Sequence, residues 1–227
     1  IKDLVNFLNK MGCKIKWIGK RTVKILGVKK FNEVNYKIMF DRIEAGTYAL
    51  AVAIAGGEIE LLGAKKKELK FFLNILETIG VECVETKKSI IFKKNSNSIN
   101  PVDITTEPYP GFPTDLQAQL MAVMTISNGT SIITENIFEN RFMHAPELMR
   151  MGAKIKLKGN LAIIEGVKEL KGAEVMATDL RASVSLVLAG LVANGKTNID
   201  RIYHIDRGYE RIEEKLKALG ANIERIS

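Results

Sequence analysis

The chain has 227 residues, of which 46% are hydrophobic and 26% charged, a composition typical of a globular protein with one large domain or two small ones. Its most apolar stretch, Tyr48 to Ile54, is shorter than the roughly 18 residues of a membrane span, and no signal peptide is visible. We therefore expect a cytoplasmic protein without a membrane partner. The net charge of +8 comes from short lysine runs without interleaved aromatic residues, which argues against nucleic-acid binding.

Two cysteines and two histidines lie far apart and form no zinc-binding pattern: Cys13, Cys83, His144 and His204. We interpret both cysteines as buried, reduced thiols. The residues present require neither a metal nor a cofactor. The chain opens with Ile1, in what reads as the middle of a helix, and this predicts an incomplete polypeptide.

The first predicted helix ends in a phrase that recurs three more times: a leucine, an apolar residue three positions later, a glycine, and an apolar residue three positions after the glycine. The glycines of the four copies are Gly12, Gly80, Gly152 and Gly220, which stand 68, 72 and 68 residues apart. The leucine and the first apolar residue lie on one face of a helix. We predict that each glycine ends its helix in the left-handed conformation and that a strand follows.

A second phrase alternates with the first. It consists of a long apolar helix that begins at an aspartate and ends at a glycine, followed by a strand of alternating pattern. The three copies run over residues 41–57, 115–129 and 179–195. Together the phrases predict repeated units of about 70 residues, each with strands and helices, in an α/β (α+β) fold. The first long helix is apolar nearly all round, so we expect sheets to enclose it.

The units set the expected domain organisation. Residues 1–39 read as the end of one domain, and residues 40–227 as a domain of three units. The one clear loop cluster, from Asn95 to Pro113, holds four of the five prolines and lies within the second domain.

Asp115 is the first candidate for chemistry, because it stands at a predicted helix start. Thr114 and Gln117 fit a capping box around it, so Asp115 also suits a purely structural role at the positive end of the helix dipole. Asp179 occupies the same place one unit later. Helix starts are also natural phosphate sites. The arginines of the turn around Arg207 suit either anion binding or surface ion pairs, and a lone His144 is more typical of a hydrogen-bonded structural residue.

Four long motifs are specific enough to indicate a protein family. They cover residues 112–119, 139–144, 177–183 and 200–211. In this order and wording they closely resemble the enolpyruvyl transferase family, and most closely its members that act on UDP-N-acetylglucosamine. The resemblance covers the whole chain. It implies two inside-out α/β barrels of three units each, with the active site between them, and therefore a full chain about twice this long.

The resemblance also implies an activity: transfer of the enolpyruvyl group of phosphoenolpyruvate to the 3-hydroxyl of UDP-N-acetylglucosamine with release of phosphate, the first committed step of peptidoglycan synthesis. It assigns Asp115 as the base near that hydroxyl and Ile137 as a contact of the uridine nucleotide. It places Asp179 and Arg181 at the reaction site and gives Arg207 the role of binding phosphoenolpyruvate.

Two other functions stay open at this point. One is the related 5-enolpyruvylshikimate-3-phosphate synthase activity, and the other is a non-catalytic nucleic-acid-binding repeat protein, suggested by charge alone. The reactive loop cysteine of the family belongs to its N-terminal half, and neither Cys13 nor Cys83 lies in such a loop. The chain by itself is therefore expected to be inactive and to need the N-terminal half as a partner.

Overall fold

The computed structural model describes residues 1–94, 96 and 98–226. The beginning of the predicted loop cluster, at Asn95 and Asn97, and the final residue Ser227 lie outside the described residues. The chain divides into two compact units, Ile1–Asp41 and Arg42–Ser227. The sequence places a domain boundary after residue 39, and the division in the structure falls after residue 41.

The first unit contains α1 (Lys2–Lys10), β1 (Lys14–Trp17) and β2 (Val23–Leu26). The two strands pair in antiparallel fashion. The side chain of Asn9 joins the helix to β1, because it accepts from the amide of Ile15 and donates to its carbonyl, both at 2.9 Å.

The second unit contains seven α-helices among its described residues: α2 (Arg42–Ala55), α3 (Lys66–Thr78), α4 (Gln117–Met124), α5 (Ala145–Arg150), α6 (Val184–Gly190), α7 (Tyr203–Asp206) and α8 (Ile212–Ala218). Its strands are β3 (Gly57–Leu62), β4 (Glu82–Glu85), β5 (Ser89–Lys94), β6 (Ile104–Thr105), β7 (Thr130–Thr134), β8 (Lys154–Lys158), β9 (Leu161–Glu165), β10 (Glu174–Met176) and β11 (Asn198–Asp200). Within the described chain, no helix has the length and apolar character needed to cross a bilayer.

The strands of this unit form three sheets. One has the order β3-β5-β4 and is antiparallel throughout. The second has the order β6-β7-β9-β8, with β6 parallel to β7 and the other pairs antiparallel. The third is the parallel pair β10-β11. Over the described residues these sheets remain separate and do not join into a closed barrel.

Three helices form the centre of the second unit. Helices α2, α4 and α6 pack against one another, α2 also contacts β3 and β5, and α4 contacts β7 and β9. All eight residues of α4 are buried, as are most of those in α2 and α6. A helix that is apolar on every side gains most from being enclosed in this way. The burial predicted for the first long helix is thus confirmed, but helices α3, α4 and α6 cover it together with a single sheet, rather than sheets alone. The fold is a mixed one of helices and sheets.

The four recurring glycines end their helices as predicted. Their φ angles lie between +93° and +100°. The amide after each glycine bonds to the carbonyl of the leucine five residues before it, at 2.9 to 3.1 Å. This 6→1 bond satisfies a carbonyl at the helix end, and the left-handed conformation it needs is cheapest for glycine. The strand expected after Gly220 is wrong, because residues 221–226 form neither helix nor strand.

Candidate active site

Asp115 lies in a 3-10 turn, Thr114–Leu116, that leads into α4. Leu116 is buried beneath the turn and touches α2 at Gly46, where an added Cβ would stand only 2.6 Å from Leu116 Cδ1. The missing side chain of Gly46 therefore allows the turn and α2 to meet.

The predicted capping box at this turn is wrong. The turn begins one residue earlier, with Pro113 as its N-cap, and α4 begins only at Gln117, so the two box residues do not stand at the cap and third positions. The hydroxyl of Thr114 donates instead to the Glu135 carboxylate at 2.8 Å. The side chain of Gln117 is buried and has no hydrogen-bond partner among the described residues.

The Asp115 carboxylate is half-exposed and paired with an arginine. Its Oδ1 accepts from Arg141 Nη2 at 3.0 Å, and the side chain keeps 42% of its surface exposed. The Arg141 guanidinium also lies over the Phe138 ring, 5.0 Å from its centre, in a cation–π contact. The Oδ2 atom forms no hydrogen bond with the residues that the structure describes. This oxygen of Asp115 is therefore available to accept a proton from a substrate.

Glu135 lies behind this pair and was not singled out from the sequence. It is buried, and its carboxylate accepts hydrogen bonds from the hydroxyls of Thr106 and Thr114 and from the amides of Ile137 and Phe138. Its burial could have been predicted from the alternation of buried and exposed residues in β7, which it directly follows. Residues 131 and 133 point inward, so residue 135 falls on the same buried face. Ile137, the predicted nucleotide contact, is half-buried in the loop that Glu135 holds.

Asp179 organises the turn before α6. Its Oδ1 accepts from the amides of Arg181 and Ala182 at 2.8 and 2.7 Å. In the reverse direction, the Oγ of Ser183 accepts from the amides of Thr178 and Asp179. These bonds satisfy four amides at the helix start, and they fix the backbone from which the Arg181 side chain leaves.

Arg181 is held against the segment that follows α7. It donates to the carbonyl of Gly208 at 3.3 Å, and its guanidinium stands 5.3 Å from the centre of the Tyr209 ring. The Tyr209 hydroxyl is buried, shares a 2.8 Å hydrogen bond with Thr47 Oγ1 and accepts from Gln119 Nε2 at 3.2 Å. Burial raises the pKa of Tyr209 above its usual value, so this hydroxyl stays protonated.

Gln119 connects Tyr209 to the turn that carries Asp115. Its Nε2 also donates to the backbone carbonyl of Asp115 at 2.8 Å. The turn of Asp115 and the side chain of Arg181 are therefore joined through two buried residues, Gln119 and Tyr209, that are distant in sequence.

Arg207 follows α7 and is exposed. No hydrogen bond or ion pair joins its side chain to another residue in the described ranges. Its neighbour Asp206 is held by Arg225, which donates to both carboxylate oxygens, at 2.6 and 3.1 Å, and lowers the pKa of Asp206. A second carboxylate, Glu213 on α8, binds the same guanidinium. The end of α7 is thus fixed, while the Arg207 fork remains available to a planar anion.

His144 is fully buried, but the expected hydrogen bond is missing. Neither of its ring nitrogens has a hydrogen-bond partner among the described side chains and backbone. Burial lowers the pKa of His144 to about 4, with Asp179 acting to raise it and Arg141 to lower it. The ring is therefore neutral at pH 7, and both of its charged neighbours belong to the surroundings of the predicted site.

Other chemistry receives less support. Among the residues that the structure covers, no group of three His, Cys, Asp or Glu side chains could hold a metal ion. Cys13 and Cys83 are free thiols and only half-buried rather than fully buried. Burial raises the pKa of the Cys83 thiol to about 12, which leaves almost no thiolate at pH 7 and makes it a poor nucleophile.

With this geometry in place, comparison with known proteins gives the class. The chain belongs to the EPSP synthase family, since the family model for EPSP synthase (3-phosphoshikimate 1-carboxyvinyltransferase) matches residues 1–216. Within that family, relatives from Chelativorans sp. and Brucella ovis are 57% and 55% identical over all 227 residues, and both are named UDP-N-acetylglucosamine 1-carboxyvinyltransferase. The family resemblance predicted from the four motifs is confirmed.

Solved structures agree on the fold. The enolpyruvyl transferase NikO from Streptomyces tendae has a TM-score of 0.87 and 27% identity, over 98% of this chain and 53% of its own. EPSP synthase from Acinetobacter baumannii has a TM-score of 0.77 and 19% identity, over 98% of this chain and 55% of its own. The chain spans about half the length of the relatives it matches, 53% in the case of the Chelativorans protein.

Proposed function

We propose that this chain provides one side of the active site of an enzyme that transfers the enolpyruvyl group of phosphoenolpyruvate to the 3-hydroxyl of UDP-N-acetylglucosamine. The remainder of the site comes from an N-terminal half like that of the relatives, and the reaction is the first committed step of peptidoglycan synthesis in the cytoplasm. One observation carries the proposal: the half-exposed Asp115–Arg141 pair is linked to Arg181 through buried Gln119 and Tyr209. The 57% identity of the Chelativorans enzyme supports the same substrate.

In this proposal Asp115 takes the proton of the sugar 3-hydroxyl. The hydroxyl oxygen attacks C2 of phosphoenolpyruvate while C3 gains a proton, which gives a tetrahedral ketal. Loss of phosphate and of one C3 proton then leaves the enol ether. Arg141 orients the Asp115 carboxylate through its hydrogen bond to Oδ1 at 3.0 Å, which leaves Oδ2 directed to the substrate hydroxyl.

Arg181 and Arg207 are assigned to the anionic substrate. Arg181 is fixed by its contacts with Gly208 and Tyr209, and Arg207 is exposed beside them, so the two suit the phosphate and carboxylate of phosphoenolpyruvate. Asp179 keeps the Arg181 backbone in place, and Ile137 contacts the uridine nucleotide. Fixed charges of this kind act by positioning and by stabilising charge in the transition state.

Two structural proposals accompany this function. We infer that residues 40–227 form one of two inside-out barrels built from repeated units of about 70 residues. The enclosed helices α2, α4 and α6, with sheets beside them, support that arrangement. Residues 1–39 are then the end of the other domain.

The test uses a chimera in which this chain replaces the matching segment of the Chelativorans enzyme. We expect phosphate release from phosphoenolpyruvate with UDP-N-acetylglucosamine, and none from the 227-residue chain alone. Asp115→Asn should lower turnover by about 10²-fold or more, the usual effect of losing a positioned base. The matched control is Asp103→Asn, an exposed aspartate whose bond to the Ile132 amide an asparagine oxygen keeps.

The main competing function is that of a 3-phosphoshikimate 1-carboxyvinyltransferase, favoured by the name of the matching family model. Phosphate release with shikimate 3-phosphate, but not with UDP-N-acetylglucosamine, would select it. Near-normal turnover of the Asp115→Asn chimera would reject Asp115 as the base under either function.

A further inference from the structure

Glu135 is a buried carboxylate without a cationic partner. Only 3% of its surface is exposed, and no ion pair joins it to any residue within the described ranges. A carboxylate in such a place is costly unless strong hydrogen bonds compensate for its lost hydration. Four donors do so here, at distances from 2.8 to 3.2 Å. The cost of burying the Glu135 carboxylate indicates that its hydrogen bonds hold particular parts of the structure in place.

The two oxygens of Glu135 hold different parts of the site. Oε1 accepts from the Thr106 hydroxyl and from the amides of Ile137 and Phe138, at 2.8, 2.8 and 3.2 Å. It therefore shapes the loop after β7. Oε2 accepts from the Thr114 hydroxyl at 2.8 Å, directly before Asp115. One carboxylate spans the base and the nucleotide contact.

These bonds form part of a closed circuit. Phe138, whose amide binds Glu135, carries the ring on which Arg141 rests, and Arg141 binds Asp115. From Asp115 the chain returns through Thr114 to Glu135. A shift of the loop therefore moves Arg141, and with it the orientation of the Asp115 carboxylate.

We propose that Glu135 is a positioning residue of the active site. Its Oε2 sets the Asp115 turn, its Oε1 sets the loop that carries Ile137, and the rigid carboxylate between them fixes the spacing of the two. This role rests on the proposed function, in which Asp115 is the base and Ile137 contacts the nucleotide.

The two oxygens of Glu135 can be tested separately, because Thr114 donates to Oε2 and Thr106 donates to Oε1. In the active chimera, Thr114→Val removes the donor to Oε2, and turnover should fall about 10-fold or more with the KM for UDP-N-acetylglucosamine within about 2-fold, because small misplacements of a reacting group cost large factors in rate. Thr106→Val removes a donor to Oε1 and the acceptor of the Asn136 amide. It should raise that KM about 5-fold or more, with turnover within about 2-fold. Serine at either position keeps the hydroxyl and should restore the parent values to within about 3-fold.

A carboxylate with a merely structural role would not divide the two kinetic parameters. If both valine variants change the same parameter, or if serine fails to rescue, Glu135 does not position the site. A parent chimera that lacks activity with UDP-N-acetylglucosamine overturns the proposed function, and the role of Glu135 falls with it.

Amide hydrogen exchange tests the anchoring without any activity. In the 227-residue chain, Glu135→Gln keeps a carbonyl oxygen for the amides of Ile137 and Phe138, whereas Glu135→Ala removes the one oxygen, Oε1, that accepts from both. We expect exchange of these two amides to accelerate at least about 10-fold in the alanine variant and clearly less in the glutamine variant. Glu165→Ala, which removes an exposed ion pair with Lys154 on the same sheet, should leave both amides protected. Fast exchange in the parent chain would overturn the inference whatever the kinetics show.

Discussion

Removal of the Tyr209 hydroxyl should destabilise the fold by a defined amount. Tyr209 is only 1% exposed, and its oxygen is bonded to Thr47 Oγ1 at 2.8 Å and to Gln119 Nε2 at 3.2 Å. In Tyr209→Phe the ring remains beside Arg181, so buried apolar area and the cation–π contact are kept. The change removes the hydrogen bonds with Thr47 and Gln119, together with a hydrogen-bonding contact from Arg181.

The structure limits the cost of losing them. Thr47 still donates to the carbonyl of Ile43 at 3.0 Å, and Gln119 still donates to the carbonyl of Asp115. Neither partner is left as a fully unsatisfied buried group. Each neutral hydrogen bond contributes about 1 kcal/mol, so we expect a loss of about 1 to 2 kcal/mol. For a domain of this size that corresponds to roughly 2 to 8 °C in Tm.

The measurement is a thermal and urea unfolding series of the 227-residue chain, with Thr47→Val and the double variant. The 2.8 Å bond predicts a coupling energy of about 0.5 to 1.5 kcal/mol between positions 47 and 209. Tyr109→Phe is the matched control, because that tyrosine is exposed and its change should stay within about 0.5 kcal/mol. Strictly additive losses would show that the two hydroxyls do not bind each other. A loss above about 4 kcal/mol would show that the partners are left unsatisfied.

Two further predictions concern charge. In the chimera, Arg207→Lys should raise the KM for phosphoenolpyruvate about 10-fold and leave that for the nucleotide sugar unchanged, because an ammonium cannot form a bidentate pair; unchanged constants for both substrates would make Arg207 structural. The pKa of His144 is lowered from 6.5 to about 4, so the unfolded chain takes up a proton that the folded chain resists. Stability is therefore complete above pH 6.5 and falls as the pH drops towards 4, by about 2 kcal/mol at pH 5. Unfolding measured between pH 7 and 5 should show this loss in the parent chain, and the loss should shrink in His144→Phe; equal pH dependence of the two would refute it.

Local sequence patterns predicted the regular elements of this chain well. The helix ends at Gly12, Gly80, Gly152 and Gly220 follow from a conformation that glycine adopts more readily than other residues. The burial of the long helices follows from their apolar character on every side. Both features depend on residues within one or two helical turns, and a sequence displays such features directly.

The same reasoning failed where a side chain had two plausible partners. Thr114 beside Gln117 satisfies the local rule for a capping box, but a buried carboxylate 21 residues later competes for the same hydroxyl. The hydroxyl binds the carboxylate instead, because a buried carboxylate that has no cationic partner is stabilised only by hydrogen-bond donors. The burial of Glu135 was nevertheless readable from the alternation of residues 131, 133 and 135.

The contacts that join the Asp115 turn to Arg181 could not be predicted from local sequence patterns. Tyr209 meets Gln119 across 90 residues and Thr47 across 162, and each of the three positions sits in a segment that reads as ordinary on its own. No periodicity or cap signals such a meeting, because it arises only when α2 and α4 pack together and the segment after α7 closes on them. A buried polar group requires partners wherever the fold provides them. For that reason the residues of the candidate site could be proposed from motifs, whereas the residues that connect them could be found only from the packed structure.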